Sequence, residues 1–135
     1  NIVGLGKACE IANTNYKTDN EHIKKLSSVL LNGLKKSFPN LILNGDSKNR
    51  LEGNLNITFP DFSAEKIMMT LTKIACSTGS ACSSSDPEPS HVLKALNLSK
   101  HQINNTIRFG IGKFNTKKEM KLVVKMFENK LRKIK

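Results

Sequence analysis

The chain has 135 residues and carries 22 lysines and arginines against 11 aspartates and glutamates, a formal net charge of +11 at pH 7 with histidine neutral. With 38% hydrophobic and 24% charged residues it has the make-up of one globular domain with a real core, and no apolar run approaches the ~20 residues that cross a bilayer. Aromatic residues are only 5% and tryptophan is absent, which excludes an aromatic–basic stripe of the kind that binds single-stranded nucleic acid, so the charge reads as solvated faces.

Taken in order, Leu5, Ala8, Cys9, Ala12 and Tyr16 recur at helical spacing, which predicts a first helix over 2–16 with Cys9 on its core face. Thr18-Asp19-Asn20-Glu21 reads as a capping box opening a second helix, whose stripe is Ile23, Leu26, Leu30, Leu34 and Phe38 and which Pro39-Asn40 stops. His22 lies off that stripe, at the surface. Leu41-Ile42-Leu43 is a short strand ended by the turn signal Asn44-Gly45-Asp46. The alternation Asn54-Leu55-Asn56-Ile57-Thr58-Phe59 is a half-buried strand. Ser63 caps a helix carrying Ile67, Met68 and Leu71, and Ile74-Ala75-Cys76 reads as a short buried strand with Cys76 packed.

A run of small, hydroxylated residues follows, Ser77-Thr78-Gly79-Ser80-Ala81-Cys82-Ser83-Ser84-Ser85, ended by Asp86-Pro87-Glu88-Pro89. Nothing in it is large enough to anchor it in a core. Free cysteines usually prefer burial as small hydrophobes, so the setting of Cys82 is unusual: a thiol on a tether, expected to be poorly ordered from Ser77 to Asp86. Pro89 to Asn97 is expected to be a helix with Val92, Leu93 and Leu96 inward and His91 exposed or capping, and Ser99 to Gln102 a capping box. In Thr106-Ile107-Arg108-Phe109-Gly110-Ile111 the apolar residues share one face, so Arg108 points to the other. Thr116 to Glu119 caps a last helix with the stripe Met120, Val123, Phe127, Leu131 and Ile134. The expected architecture is α+β, a single domain over 1–135 with helices flanking a mixed or antiparallel sheet of about three to four strands.

Three cysteines at no metal-ligand spacing fit neither a disulfide framework nor a zinc site, which favours a reducing compartment. The chain starts at Asn1 without a methionine and is read as part of a longer protein. An exposed Cys82 suits nucleophilic or sulfur-transfer chemistry, and a strand arginine such as Arg108 suits carboxylate binding. The residues alone leave open a basic partner-binding module in which Cys82 is incidental.

Three ordered blocks carry a resemblance: Ser-Thr-Gly-Ser-Ala-Cys82, Pro-Glu-Pro89-Ser-His-Val-Leu-Lys-Ala-Leu96 and Thr-Ile-Arg108-Phe-Gly-Ile-Gly-Lys-Phe114. With Leu43-Asn-Gly-Asp46 and Gly53-Asn-Leu-Asn-Ile-Thr-Phe59 they resemble, in order and separation, the C-terminal small domain of NifS/IscS-type cysteine desulfurases, in the group with the long thiol loop. The resemblance implies a homodimeric pyridoxal-phosphate (PLP) enzyme of the aspartate-aminotransferase fold (fold type I). It implies that L-cysteine condenses with the cofactor and that Cys82 takes the substrate sulfur as a persulfide, releasing L-alanine. Arg108 matches the family arginine that clamps the substrate carboxylate. Sulfur would pass to an iron–sulfur scaffold protein or other acceptors, for iron–sulfur cluster assembly and tRNA thiolation, with Cys82 as a transient ligand in a shared cluster hand-off. The expected compartment is a bacterial cytoplasm or the mitochondrial matrix, with no membrane and no direct nucleic-acid partner. No residue of this chain matches the family's cofactor-binding set, which belongs to a large N-terminal domain, so the piece alone is expected to be inactive. A selenocysteine lyase-like enzyme of the same fold is the alternative within the resemblance.

Overall fold

The computed structural model describes residues 1–78 and 90–131. The chain order is α1 (Ile2–Ser37), β1 (Ile42–Leu43), β2 (Asn54–Thr58), α2 (Ala64–Thr70), α3 (His91–Ala95), α4 (Lys100–Asn104), β3 (Thr106–Gly110) and α5 (Lys117–Leu131). The three strands form one antiparallel sheet in the order β1-β2-β3. Period-2 alternation sorts its two faces. Leu55, Ile57, Ile107 and Phe109 are buried against α1 and α5, whereas Asn56, Thr58, Thr106 and Arg108 project from the opposite face. The core is completed by Leu26, Leu30 and Leu34 of α1, Met120, Phe127 and Leu131 of α5, and an aromatic cluster. In that cluster Phe59 stacks on Phe127 at 5.4 Å and Phe38 meets both edge-on.

The expected α+β architecture holds, with four differences in detail. The first two helices are a single helix of 36 residues, and Thr18 opens nothing. A capping box needs its first residue outside the helix, and between Glu10 and Gly33 there is no glycine or proline to interrupt α1. The N-terminal half of α1 is exposed, including Cys9, expected in the core, and Leu5 and Tyr16 at 67% and 64% accessibility. A stripe at helical spacing shows which side of a helix would be buried, but the sheet and α5 lie opposite only its second half.

The third difference is at 74–76, which is not a strand. Ile74 and Cys76 are half-buried against the core, and Ser77 alone makes an isolated bridge. The fourth concerns α3, which is shorter than Pro89–Asn97 and buries Leu93 alone; Val92 and Leu96 are exposed at 54% and 41%. His22 is exposed as expected, its Nε2 3.0 Å from the Asn115 carbonyl oxygen. His91 is exposed. Cys82, Pro89 and Ile134 lie outside the described residues, as does most of the stretch 77–86 expected to be poorly ordered.

The predicted caps at the other helices are formed. Ser63 accepts from the Lys66 amide, Ser99 and Gln102 make a reciprocal box, and the Thr116 amide donates to Glu119 Oε2 while the Glu119 amide donates to Thr116 Oγ1.

Candidate active site

The polar face of the sheet opens into a cleft of about 340 Å³. Asn56 and Arg108 line it from the strands, Asn44 to Asp46 and Asn49 to Leu51 from the β1–β2 connection, and Ser90, Val92, Leu93 and Leu96 from α3. Gly45 sits in that connection at φ +82°, a conformation glycine adopts without a Cβ penalty. Asp46 Oδ1 accepts from the Lys48 and Asn49 amides at 2.6 and 2.7 Å. The backbone bond from Asn49 and then that from Lys48 hold its carboxyl below the usual range. Arg50 braces the same loop, donating from its guanidinium to the carbonyls of Asn44, Asp46 and Asn54, while its Nε is buried without a partner.

Arg108 is placed differently. Its backbone is held on both sides, paired with Asn56 of β2 and in a reciprocal bridge with Ser77 (Arg108 N to Ser77 O 2.7 Å, Ser77 N to Arg108 O 3.1 Å). Its side chain is exposed in the cleft and makes no ion pair or hydrogen bond among the described residues. Asp46, the acidic residue that lines the same cleft, takes the Lys48 and Asn49 amides on its Oδ1 and makes no ion pair with Arg108. A rigidly mounted, unpartnered guanidinium in a concave site suits a carboxylate.

The sequence stretch carrying Cys82 is rooted at this cleft from both ends. Ser77 is bonded to Arg108 itself, and Ser90 lines the cleft. Cys82 follows Ser77 by five positions and lies outside the described residues. Sequence reasoning singled out Arg108 and Cys82 and missed Asn44, Asn56, Ser77 and Ser90 as neighbours. Alternation puts Asn56 and Arg108 on polar faces, but only the pairing register of β2 with β3 brings them together.

Of the other two cysteines, Cys76 is half-buried and burial pushes its thiol up, which favours the protonated form, whereas Cys9 is exposed. Among the described residues no group of three or more His, Cys, Asp or Glu side chains is arranged to hold a metal ion, and no helix is long and apolar enough to cross a membrane.

The family model described as aminotransferase class-V matches residues 1–123. A protein named cysteine desulfurase IscS from Ehrlichia chaffeensis is 42% identical over 132 residues, covering 98% of this chain and 32% of that protein. The human protein named cysteine desulfurase is 41% identical over 123 residues, 91% of this chain and 27% of that one. A solved structure of a NifS-like protein from Rickettsia africae superposes with a TM-score of 0.81 at 26% identity, covering 95% of this chain and 33% of the other. The chain thus spans about a third of the length of the curated relatives it matches. Members of this family work with pyridoxal phosphate in general. The Arg108 cleft is lined by neither lysine nor histidine, so the described residues have no amine there for the cofactor's aldehyde; they fit a carboxylate and not, on their own, that group. The chain belongs to the aminotransferase class-V family, as a NifS/IscS-type domain.

Proposed function

We propose that this chain is the small domain of a PLP-dependent cysteine desulfurase, over residues 1–135, and that it supplies two working groups to the full enzyme. Arg108 binds the α-carboxylate of L-cysteine in the cleft, and Cys82 receives the substrate sulfur. The observation that carries the reading is the Ser77–Arg108 bridge, which ties the thiol-bearing stretch to the strand of an arginine without a side-chain partner among the described residues. When bound, the cofactor supplies the electron sink for C–S cleavage, and in this reading it is held by a large domain outside this sequence. The thiolate of Cys82 forms an S–S bond to the substrate sulfur as its bond to carbon breaks, and L-alanine leaves. The persulfide sulfur then passes to an acceptor such as an iron–sulfur scaffold protein. A bacterial cytoplasm or mitochondrial matrix fits relatives that include bacterial and mitochondrial proteins, and the full enzyme in this reading is a homodimer.

The test is steady-state kinetics of Arg108→Lys in the full-length enzyme. Charge-assisted hydrogen bonds are worth ~1.5–3 kcal/mol each, so losing one bond of the fork should weaken L-cysteine use by about 10- to 150-fold. Lysine rescues little, because an ammonium cannot reproduce the planar fork. Unchanged KM and kcat would refute the carboxylate role.

A further inference from the structure

Behind Arg108 runs a buried chain of polar side chains whose direction can be worked out atom by atom. Thr106 Oγ1 lies 2.6 Å from the carbonyl oxygen of Gln102, which can only accept, so the Thr106 hydroxyl donates there. Thr58 and Thr106 Oγ1 are 2.7 Å apart; with the Thr106 proton committed, Thr58 is the donor. The Thr58 oxygen is then free only to accept, and it does so from Asn44 Nδ2 at 2.8 Å. The second proton on that nitrogen goes to Asn56 Oδ1, also at 2.8 Å. Turning the Asn44 amide over would set two acceptors against each other at Asn56 and leave the two threonine oxygens with no proton between them. Asn44, Thr58 and Thr106 are all at least nine-tenths buried, where such mismatches are costly.

The consequence falls at the open end. With Oδ1 turned to Asn44, the Asn56 amide presents Nδ2 away from the relay, and that nitrogen has no partner among the described residues. Asn56 lines the cleft and is the direct cross-strand partner of Arg108, which puts their Cβ atoms roughly 5 Å apart. We infer that Asn56 is a second substrate-contacting residue, its Nδ2 donating to the same carboxylate that Arg108 binds, with the relay from the Gln102 carbonyl holding it in the donating orientation. A guanidinium fork fixes a carboxylate in its own plane but leaves it free to twist about the fork's axis. A neutral donor from the neighbouring strand fixes that twist and adds no charge.

This rests on the carboxylate reading of Arg108, and the experiment separates the two. Equilibrium binding of L-alanine and of L-alaninamide, which lacks the carboxylate, is measured on full-length wild type, Arg108→Lys, Asn56→Ala and Asn56→Asp. Asn56→Ala should weaken L-alanine by about 10-fold and leave L-alaninamide unchanged. Asn56→Asp keeps the acceptor that Asn44 needs, so it should melt close to wild type and keep the inference testable if the alanine variant folds poorly. It replaces the donor by a negative oxygen, and its loss should again be confined to L-alanine. If Arg108→Lys weakens L-alanine while Asn56→Ala, folded, does not, the inference on Asn56 is overturned and the arginine reading stands. Equal losses for both ligands would reduce Asn56 to a structural residue and overturn it too. If Arg108→Lys leaves L-alanine binding intact, the carboxylate reading itself fails.

Discussion

Arg108 shows how far a single residue can be read from sequence. Strand alternation alone directs it away from Ile107 and Phe109, and the structure agrees. That it has no partner among the described residues could not be read in advance, because it depends on how the β1–β2 connection closes over the cleft, and the sequence only hints at that loop's shape. The cysteines divide in the same way. Cys76, flanked by Ile74 and Ala75, is packed as expected, but Cys9 is exposed despite its helical stripe. In this chain iodoacetamide at neutral pH should therefore label Cys9 well before Cys76, as peptide mapping would reveal; equal rates would contradict the burial of Cys76. Asp46 supplies a pH dependence. Its folded-state pKa lies below its ordinary value, so its contribution to stability is present above about pH 4 and is lost as pH falls through the folded value. The protection of the Lys48 and Asn49 amides relative to their intrinsic exchange rates should fall on that descent, and Asp46→Asn should remove the pH step.

Among the elements, the legible ones are those whose signals are local. The boxes at Ser99–Gln102 and Thr116–Glu119 involve residues three apart and formed as expected. The same pattern at Thr18–Glu21 sits inside α1, because a helix already running has no reason to stop at a good cap. Sheet register is not local, and with it the Asn56–Arg108 pair was hidden. One register-setting contact is the approach of Gly53 to Ile111: the Ile111 amide donates to the Gly53 carbonyl, and a Cβ on Gly53 would come within 2.2 Å of the Ile111 carbonyl oxygen. Backbone must move to relieve that clash. Gly53→Ala should cost ~2 kcal/mol, within the usual range for overpacking, and lower Tm by several degrees. An unchanged melting curve would show that the ends of β2 and β3 are looser than they look.

Across the whole molecule, the fold reads as a sheet with one face given to the core and the other to the polar cleft of Arg108. α1 contributes to the first face with its C-terminal half, while its N-terminal half extends into solvent, joined to the body near its middle by the Lys113–Asp19 ion pair. In this chain the amides of residues 2–17 should exchange quickly and those around Leu26 to Leu34 slowly, since exposed helix without tertiary contacts opens cheaply. Uniform protection along α1 would mean that something covers the first half, such as a second copy. The chain leaves the polar face at Ser77, on the way to Cys82. Whether that thiol takes the substrate sulfur is read by mass spectrometry of the full-length enzyme after one turnover with L-cysteine and no reductant. One additional sulfur atom on the peptide carrying Cys82, absent in Cys82→Ser and not transferred to Cys9 or Cys76, is the expected result. An added sulfur on either of those two, with Cys82 unmodified, would contradict the assignment of the sulfur-accepting residue.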